Sequence, residues 1–140
     1  MVVVVDTNVV SELIRAEPEP AVLDWFDGLP GVEPHLTATT VLELYFGAGR
    51  LPEGSRKTQL MNRIDIMVHE IFRGRVLAYD AVAAEIGGGL MADLERRGRA
   101  IGLADVEIAA VCSAAGAPLA TRNTKHFEGL GLVLINPWSE

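Results

Sequence analysis

Met1-Val2-Val3-Val4-Val5-Asp6-Thr7-Asn8 opens the chain, and its reading decides the fold class. Four consecutive β-branched residues cannot alternate between a wet and a dry face. They read as a short strand buried on both sides, as in a parallel sheet covered by helices. Asp6 then falls at the carboxyl end of that strand, the edge where open parallel sheets bind ligands. Further along, strand-like and helix-like stretches alternate. A short helix is expected over Ser11–Ala16 and a second over Ala21–Asp27, with Pro20 suited to its first turn. Gly28, Pro30, Gly31 and Pro34 mark a loop. His35–Ala38 reads as a strand, and Thr40-x-x-Glu43 as a capping box opening a helix to about Ala48. Leu60, Ile64, Met67, Val68 and Ile71 recur at helical spacing within a helix expected from Ser55 to Phe72. Arg75–Tyr79 reads as a third strand. Asp80 caps a helix to about Arg97, and Asp105 caps another over Val106–Ala115, which Gly116 and Pro118 end. Leu119–Thr121 and Leu132–Ile135 complete five strands. The alternation predicts an α/β fold, a doubly wound parallel sheet with helices on both faces. Gly87-Gly88-Gly89 breaks the local rules, since each glycine inside a helix costs about 1 kcal/mol relative to alanine. Either the helix bends there or another backbone packs close.

At 140 residues the chain fits one domain, 1–140, with no internal repeat or linker. Hydrophobic residues make up 49 % and charged residues 22 %, proportions that argue against a disordered chain. Cys112 is the only cysteine, which excludes an internal disulfide, and its apolar surroundings read as those of a buried thiol. No stretch approaches the length of a membrane span, and the valine run is too short for a signal-peptide core. A cytoplasmic protein is expected. The net charge of −7 counts against nucleic-acid binding, but it is unevenly spread. Residues 1–49 hold one base, Arg15, against eight acids, and the rest of the chain is balanced. Trp25, Phe26, Tyr45 and Phe46 read first as core packing and otherwise as an apolar surface for a partner.

Asp6, Glu43, Asp105 and Asn123 would all come to one edge of the sheet. Each has an ordinary explanation: an Asx turn, a capping box, an N-cap and a turn residue. Together they say more. Carboxylates gathered at one edge repel one another and raise their own pKa values, a penalty that a hard divalent cation removes. All-oxygen donors suit Mg²⁺ or Mn²⁺, and the scattered His35, His69 and His126 make zinc a poor fit.

Asp6-Thr7-Asn8 after a valine strand, Glu43 in Thr40-x-x-Glu43, Asp105-x-x-Ile108-Ala109-Ala110, Thr121-Arg122-Asn123 and the closing Asn136-Pro137-Trp138 resemble a PIN-domain ribonuclease of the VapC/FitB type. The resemblance runs from the first strand to the last few residues. It implies a PIN-like fold and a magnesium-dependent endoribonuclease, with Mn²⁺ able to substitute, that acts as the toxin of a type II toxin–antitoxin pair. It implies Asp6, Glu43 and Asp105 as catalytic, metal-site acids. Thr7 and Asn8 would orient Asp6, with Thr121 and Asn123 in support. It also implies a 5′-phosphate and 3′-hydroxyl at the cut RNA, a homodimer, and a small VapB-like antitoxin whose basic or aromatic segment enters the acidic site. Arg99 and Arg122 are candidates for holding the RNA backbone. The chain departs from the pattern in one place. A fourth acid is expected after Thr121-Arg122, and Asn123 and His126 flank its position. An asparagine offers a neutral oxygen and adds no charge, which weakens the case for a second metal.

Two other classes compete. In a phosphoacceptor receiver domain, Asp6, Asp80, Thr121 and Lys125 would carry the chemistry, but the paired acids and the Lys-Pro of that scheme are missing. A catalytically silent metal-binding partner protein shares every feature of the nuclease except turnover. A Rossmann nucleotide binder is weaker, because Asp-Thr-Asn and not a glycine-rich turn follows the first strand.

Overall fold

The computed structural model describes residues 1–28 and 31–139, so the loop marker Pro30 falls outside the described residues. The valine run forms β1 (Val2–Val5) at the centre of an all-parallel sheet. It is flanked by β2 (Glu33–Thr37) and β4 (Leu119–Ala120), with β3 (Val76–Leu77) and β5 (Leu134–Ile135) at the edges, in the order β3-β2-β1-β4-β5. Val4 pairs with His35 on one side and Leu119 on the other. Val3, Val4 and Val5 are at most 1 % exposed, the two-sided burial that the run demands. Strand alternation sends Val5 into one core and Val4 into the other.

Helices α1 (Thr7–Leu13), α2 (Pro20–Asp27), α3 (Ala38–Gly49) and α4 (Ser55–Ile66) build the Val5 core through Val9, Val22, Leu44 and Ile64. Helices α5 (Ala81–Arg96), α6 (Leu103–Ala115) and α7 (Thr124–Phe127) build the Val4 core through Leu94, Ile108 and Phe127. Chain order reverses across β1. The strands run outward from β1 to β3 on one side, then restart at β4 on the other. The crevice at the carboxyl ends of β1 and β4 is therefore the switch point of the sheet. No described helix is long and apolar enough to cross a membrane.

Several boundaries differ from the sequence reading, each for a local reason. The first helix starts at Thr7 and not Ser11, because Asp6 is its N-cap and accepts from Thr7 N at 2.8 Å. The expected capping box is not formed. Thr37 caps α3, accepting from Thr40 N at 3.0 Å, so Glu43 lies a full turn inside the helix. Asp105 is not an N-cap either. Gly102 holds that position and Asp105 occupies the first turn of α6. The helix expected over Ser55–Phe72 ends at Ile66 and passes into a π turn over Met67–Ile71. Phe72 N closes that turn on Met67 O at 2.9 Å, and the Phe72 ring packs against Phe26 with centroids 5.9 Å apart. Strands β3, β4 and β5 keep two paired residues each, fewer than the apolar runs suggested.

The α5 helix runs through the glycine triplet without a break. A Cβ on Gly87 would stand 2.7 Å from the Tyr79 hydroxyl and 3.6 Å from Ala110 Cβ, so close packing explains this glycine, against side chains and not a backbone. Gly88 and Gly89 face open space. Gly116 ends α6 at φ +63°, the left-handed cap its sequence position predicted. Trp25, Phe26 and Tyr45 pack on the Val5 core, whereas Phe46 remains 62 % exposed. Cys112 is buried, and burial followed by the nearby Asp6 charge pushes its thiol up to about 12, outside the reactive range.

Candidate active site

Asp6 is placed by two elements at once. As the residue after β1 it lies at the switch point, and as N-cap of α1 its Oδ1 accepts from Thr7 N. Its other oxygen, Oδ2, accepts from Thr121 Oγ1 at 2.7 Å, from the end of β4. The two strands flanking the crevice are thus joined through one carboxylate. Thr121 Oγ1 also accepts from Asn123 N at 3.0 Å and from Asn8 Nδ2 at 3.4 Å. Asn8 Oδ1 accepts from Arg122 N at 3.2 Å. Thr7, Asn8, Thr121 and Asn123 therefore form one network that holds Asp6 and the segment after β4.

Thr7 Oγ1 donates to Glu43 Oε1 at 2.6 Å and lies 2.9 Å from Thr40 Oγ1. That hydroxyl ties α1 to α3 and fixes the second acid. Asp105, on α6, lines the same cleft of about 550 Å³ as Asp6, Glu43, Asn8, Arg122, Asn123 and Trp138. Thr39 Oγ1 donates to Glu107 Oε1 at 3.0 Å, so α3 and α6, which carry Glu43 and Asp105, are bonded to each other. Asn136 Oδ1 accepts from Trp138 N at 3.0 Å, and the Trp138 ring carries the Arg122 guanidinium 4.9 Å from its centroid. The closing Asn-Pro-Trp thereby sets a stacked cation at the rim.

The electrostatics follow from this placement. Asp6 is 4 % exposed. Burial raises its carboxyl from 3.8 to about 6. That value is the net result: burial is the largest cause, the Thr121 and Thr7 hydrogen bonds pull the other way, and the charges of Asp105 and Glu43 add to the rise. The crowding of acids expected from the sequence is therefore present, though desolvation outweighs it.

The PIN-domain family matches this chain over residues 3–131. The chain belongs to the PIN-domain family. This PIN domain is 46 % identical over 136 residues to VapC ribonuclease Y4jK of Sinorhizobium fredii, a match covering 97 % of both chains. It is 33 % identical over 138 residues to Toxin FitB of Neisseria gonorrhoeae, covering 99 % of each. Among solved structures it is similar to FitAcB from Neisseria gonorrhoeae, with a TM-score of 0.87, 34 % identity and full coverage of both chains.

The carboxylates of this PIN domain suit a particular kind of ion. Asp6, Glu43 and Asp105 offer only oxygen, from three separate elements, and a cation would relieve the charge penalty on Asp6. Among the described residues, no three His, Cys, Asp or Glu side chains converge into a ready cage. A set of this kind fits Mg²⁺, which takes one or two carboxylates and keeps several waters, better than an ion needing a closed protein shell.

Other expectations fall elsewhere. Arg99 does not line the cleft; its guanidinium donates to the backbone carbonyls of Lys125 at 2.9 Å, His126 at 2.6 Å and Glu128. Asp80 caps α5, accepting from Ala83 N at 3.0 Å, and does not line the cleft that Asp6 and Asp105 share, so the receiver scheme's acids are not brought together. Three residues at the cleft carried no signal in the sequence: Ser11, Arg15 and the nearly buried Glu12. Glu12 accepts from Arg15 at 3.0 Å and from Glu19 N at 2.9 Å, so its charge is already satisfied. Only the early start of α1, fixed by the Asp6 cap, would have aimed Ser11 at the site.

Proposed function

We propose that this chain is a metal-dependent endoribonuclease, the toxin of a VapBC-like type II toxin–antitoxin pair. The observation that carries the reading is the meeting of Asp6, Glu43 and Asp105 at one cleft over the switch point. The ribonuclease and toxin named among its relatives support the activity class, and its solved relatives, toxin–antitoxin complexes, support a small antitoxin partner.

A bound Mg²⁺, or Mn²⁺ in its place, supplies charge neutralisation at a phosphodiester and lowers the pKa of a water molecule. The protein's part is to hold the acids. Asp6 keeps a lone pair on each oxygen beyond the bonds from Thr7 and Thr121. Glu43 keeps Oε2 beyond the Thr7 hydroxyl bond. Asp105 contributes from the first turn of α6. Arg122, stacked on Trp138 at the rim, binds the RNA backbone. The acidic cleft repels RNA while it lacks a cation, and it attracts a basic segment of the antitoxin. Cytoplasmic location and a homodimer complete this reading; sedimentation of the purified chain tests the dimer.

The decisive experiment is cleavage of a mixed RNA pool by the purified protein, freed of antitoxin, in Mg²⁺ or Mn²⁺ and then in EDTA. Cutting is expected with metal and lost in EDTA, in Asp6→Ala and in Asp105→Ala. Full activity in either variant overturns the assignment.

A further inference from the structure

His126 Nδ1 lies 3.3 Å from Asp105 Oδ2. A carboxylate oxygen only accepts, so Nδ1 carries the proton of this contact. His126 does not line the cleft; it reaches Asp105 from outside, from the four-residue helix α7. A helix this short gains little from its own hydrogen bonds, and the buried Phe127 anchors it in the Val4 core. Arg99, in the linker between α5 and α6, adds a second anchor by donating to three carbonyls at the far end of α7. Arg97 adds a longer bond to Gly129 O at 3.5 Å. Gly129 takes φ +78°, and a Cβ there would stand 3.2 Å from Arg97 Nη1 and 3.6 Å from Arg99 Nη1. The turn after α7 is therefore shaped to let both guanidinium groups approach. The contacts close a loop. Arg99 pins α7, α7 presents His126, and His126 meets Asp105 six residues beyond Arg99 in the chain.

We propose that His126, clamped through α7 by Arg99, is a positioning residue that fixes the Asp105 carboxylate. This rests on the metal-site reading above. The His126–Asp105 pair is too exposed, at 57 % and 28 %, to contribute much to stability. Its value lies in orientation: a carboxylate with one oxygen held presents the other in a fixed direction. Groups that orient a metal-binding side chain typically change metal affinity 10–100-fold when removed.

The test uses the intact chain and two readouts. The first needs no metal: the ¹³Cγ resonance of Asp105, assigned through Asp105→Asn. It is expected to move in His126→Ala and in Arg99→Ala, and to stay in place in His126→Asn, whose Nδ2 replaces Nδ1 as donor. The second is Mg²⁺ affinity by calorimetry. His126→Ala and Arg99→Ala are each expected to bind about tenfold more weakly. The double variant should be no weaker than either single one, and His126→Asn should bind like the wild type. An unmoved Asp105 resonance in His126→Ala overturns the proposal, as does a His126→Asn protein as weak as His126→Ala or an additive double variant. Resonance shifts in the variants as expected, with a wild-type protein that neither binds Mg²⁺ nor cuts RNA, overturn the nuclease reading instead.

Discussion

Replacing Asp6 by asparagine is expected to make the protein more stable and inactive. The carboxyl at this position is lifted from 3.8 to about 6 by burial and by its acidic neighbours. A lift of that size corresponds to about 3 kcal/mol of penalty on the charged form in the folded state. Asparagine removes the charge but not the shape, and its Oδ1 can still accept from Thr7 N. Its amide nitrogen meets Thr121 Oγ1, which already accepts from Asn8 and Asn123, so about 1 kcal/mol of hydrogen bonding is lost. A net gain of about 2 kcal/mol at pH 8 follows from these terms. The gain depends on pH in a defined direction. Between 3.8 and about 6 the folded wild type holds a proton that the unfolded chain has released, so its stability falls as pH rises through that window. Above it the penalty is complete; below it the penalty is gone. Urea unfolding in EDTA at pH 8 and pH 4 reads this out, with the advantage of Asp6→Asn present at pH 8 and absent at pH 4. A variant no more stable than wild type at pH 8, or a difference unchanged at pH 4, refutes the reasoning.

Three further outcomes are expected. Thr121→Val removes a hydrogen bond that lowers the Asp6 pKa, so the midpoint of the same pH dependence should move above 6 and stability at pH 8 should fall by about 1–3 kcal/mol. Thr7→Val frees Glu43 Oε1 and breaks the α1–α3 tie; RNA cleavage at fixed Mg²⁺ should drop about 10–100-fold, with the thermal midpoint changed far less. Gly87→Val should destabilise by about 1–3 kcal/mol through the Tyr79 hydroxyl, whereas Gly88→Ala, on an open face of the same helix, should stabilise by up to about 1 kcal/mol in thermal or urea unfolding.

The sheet was legible because its central strand cannot be anything else. Four β-branched residues in a row fit only a strand wet on neither face, and β1 is that strand, with helices packed over Val5 on one side and Val4 on the other. The edge strands were less legible. Only two residues of each of the runs Leu132–Ile135 and Arg75–Tyr79 pair in the sheet, and the runs are not uniformly buried: Leu77 and Leu134 pack on the Val4 core, whereas Val76 and Val133 stay exposed. At a sheet edge an apolar run need be neither fully buried nor fully paired, so its length overstates the strand. The π turn shifts the apolar face: Ile71, expected on it, is exposed, and Phe72 takes the buried place four residues after Val68.

The site was legible in its members and not in their local roles. Acids at the carboxyl edge of a parallel sheet sit where helices begin, so every one of them can be mistaken for a cap. The structure separates the cases. Asp80 is only a cap. Glu43 and Asp105 are not caps, because Thr37 and Gly102 hold those positions, six and three residues before the acids, and both carboxylates are left for the cleft. Asp6 is both a cap and a site residue, and this double use explains its energetics. The cap bond from Thr7 N and the Thr121 bond make its burial tolerable, while Glu43 and Asp105 keep it from being comfortable. Satisfying Asp6 fully within the protein would leave nothing for a cation to relieve. The residual penalty on that one carboxylate is the part of the folding free energy that the site holds in reserve for its ligand.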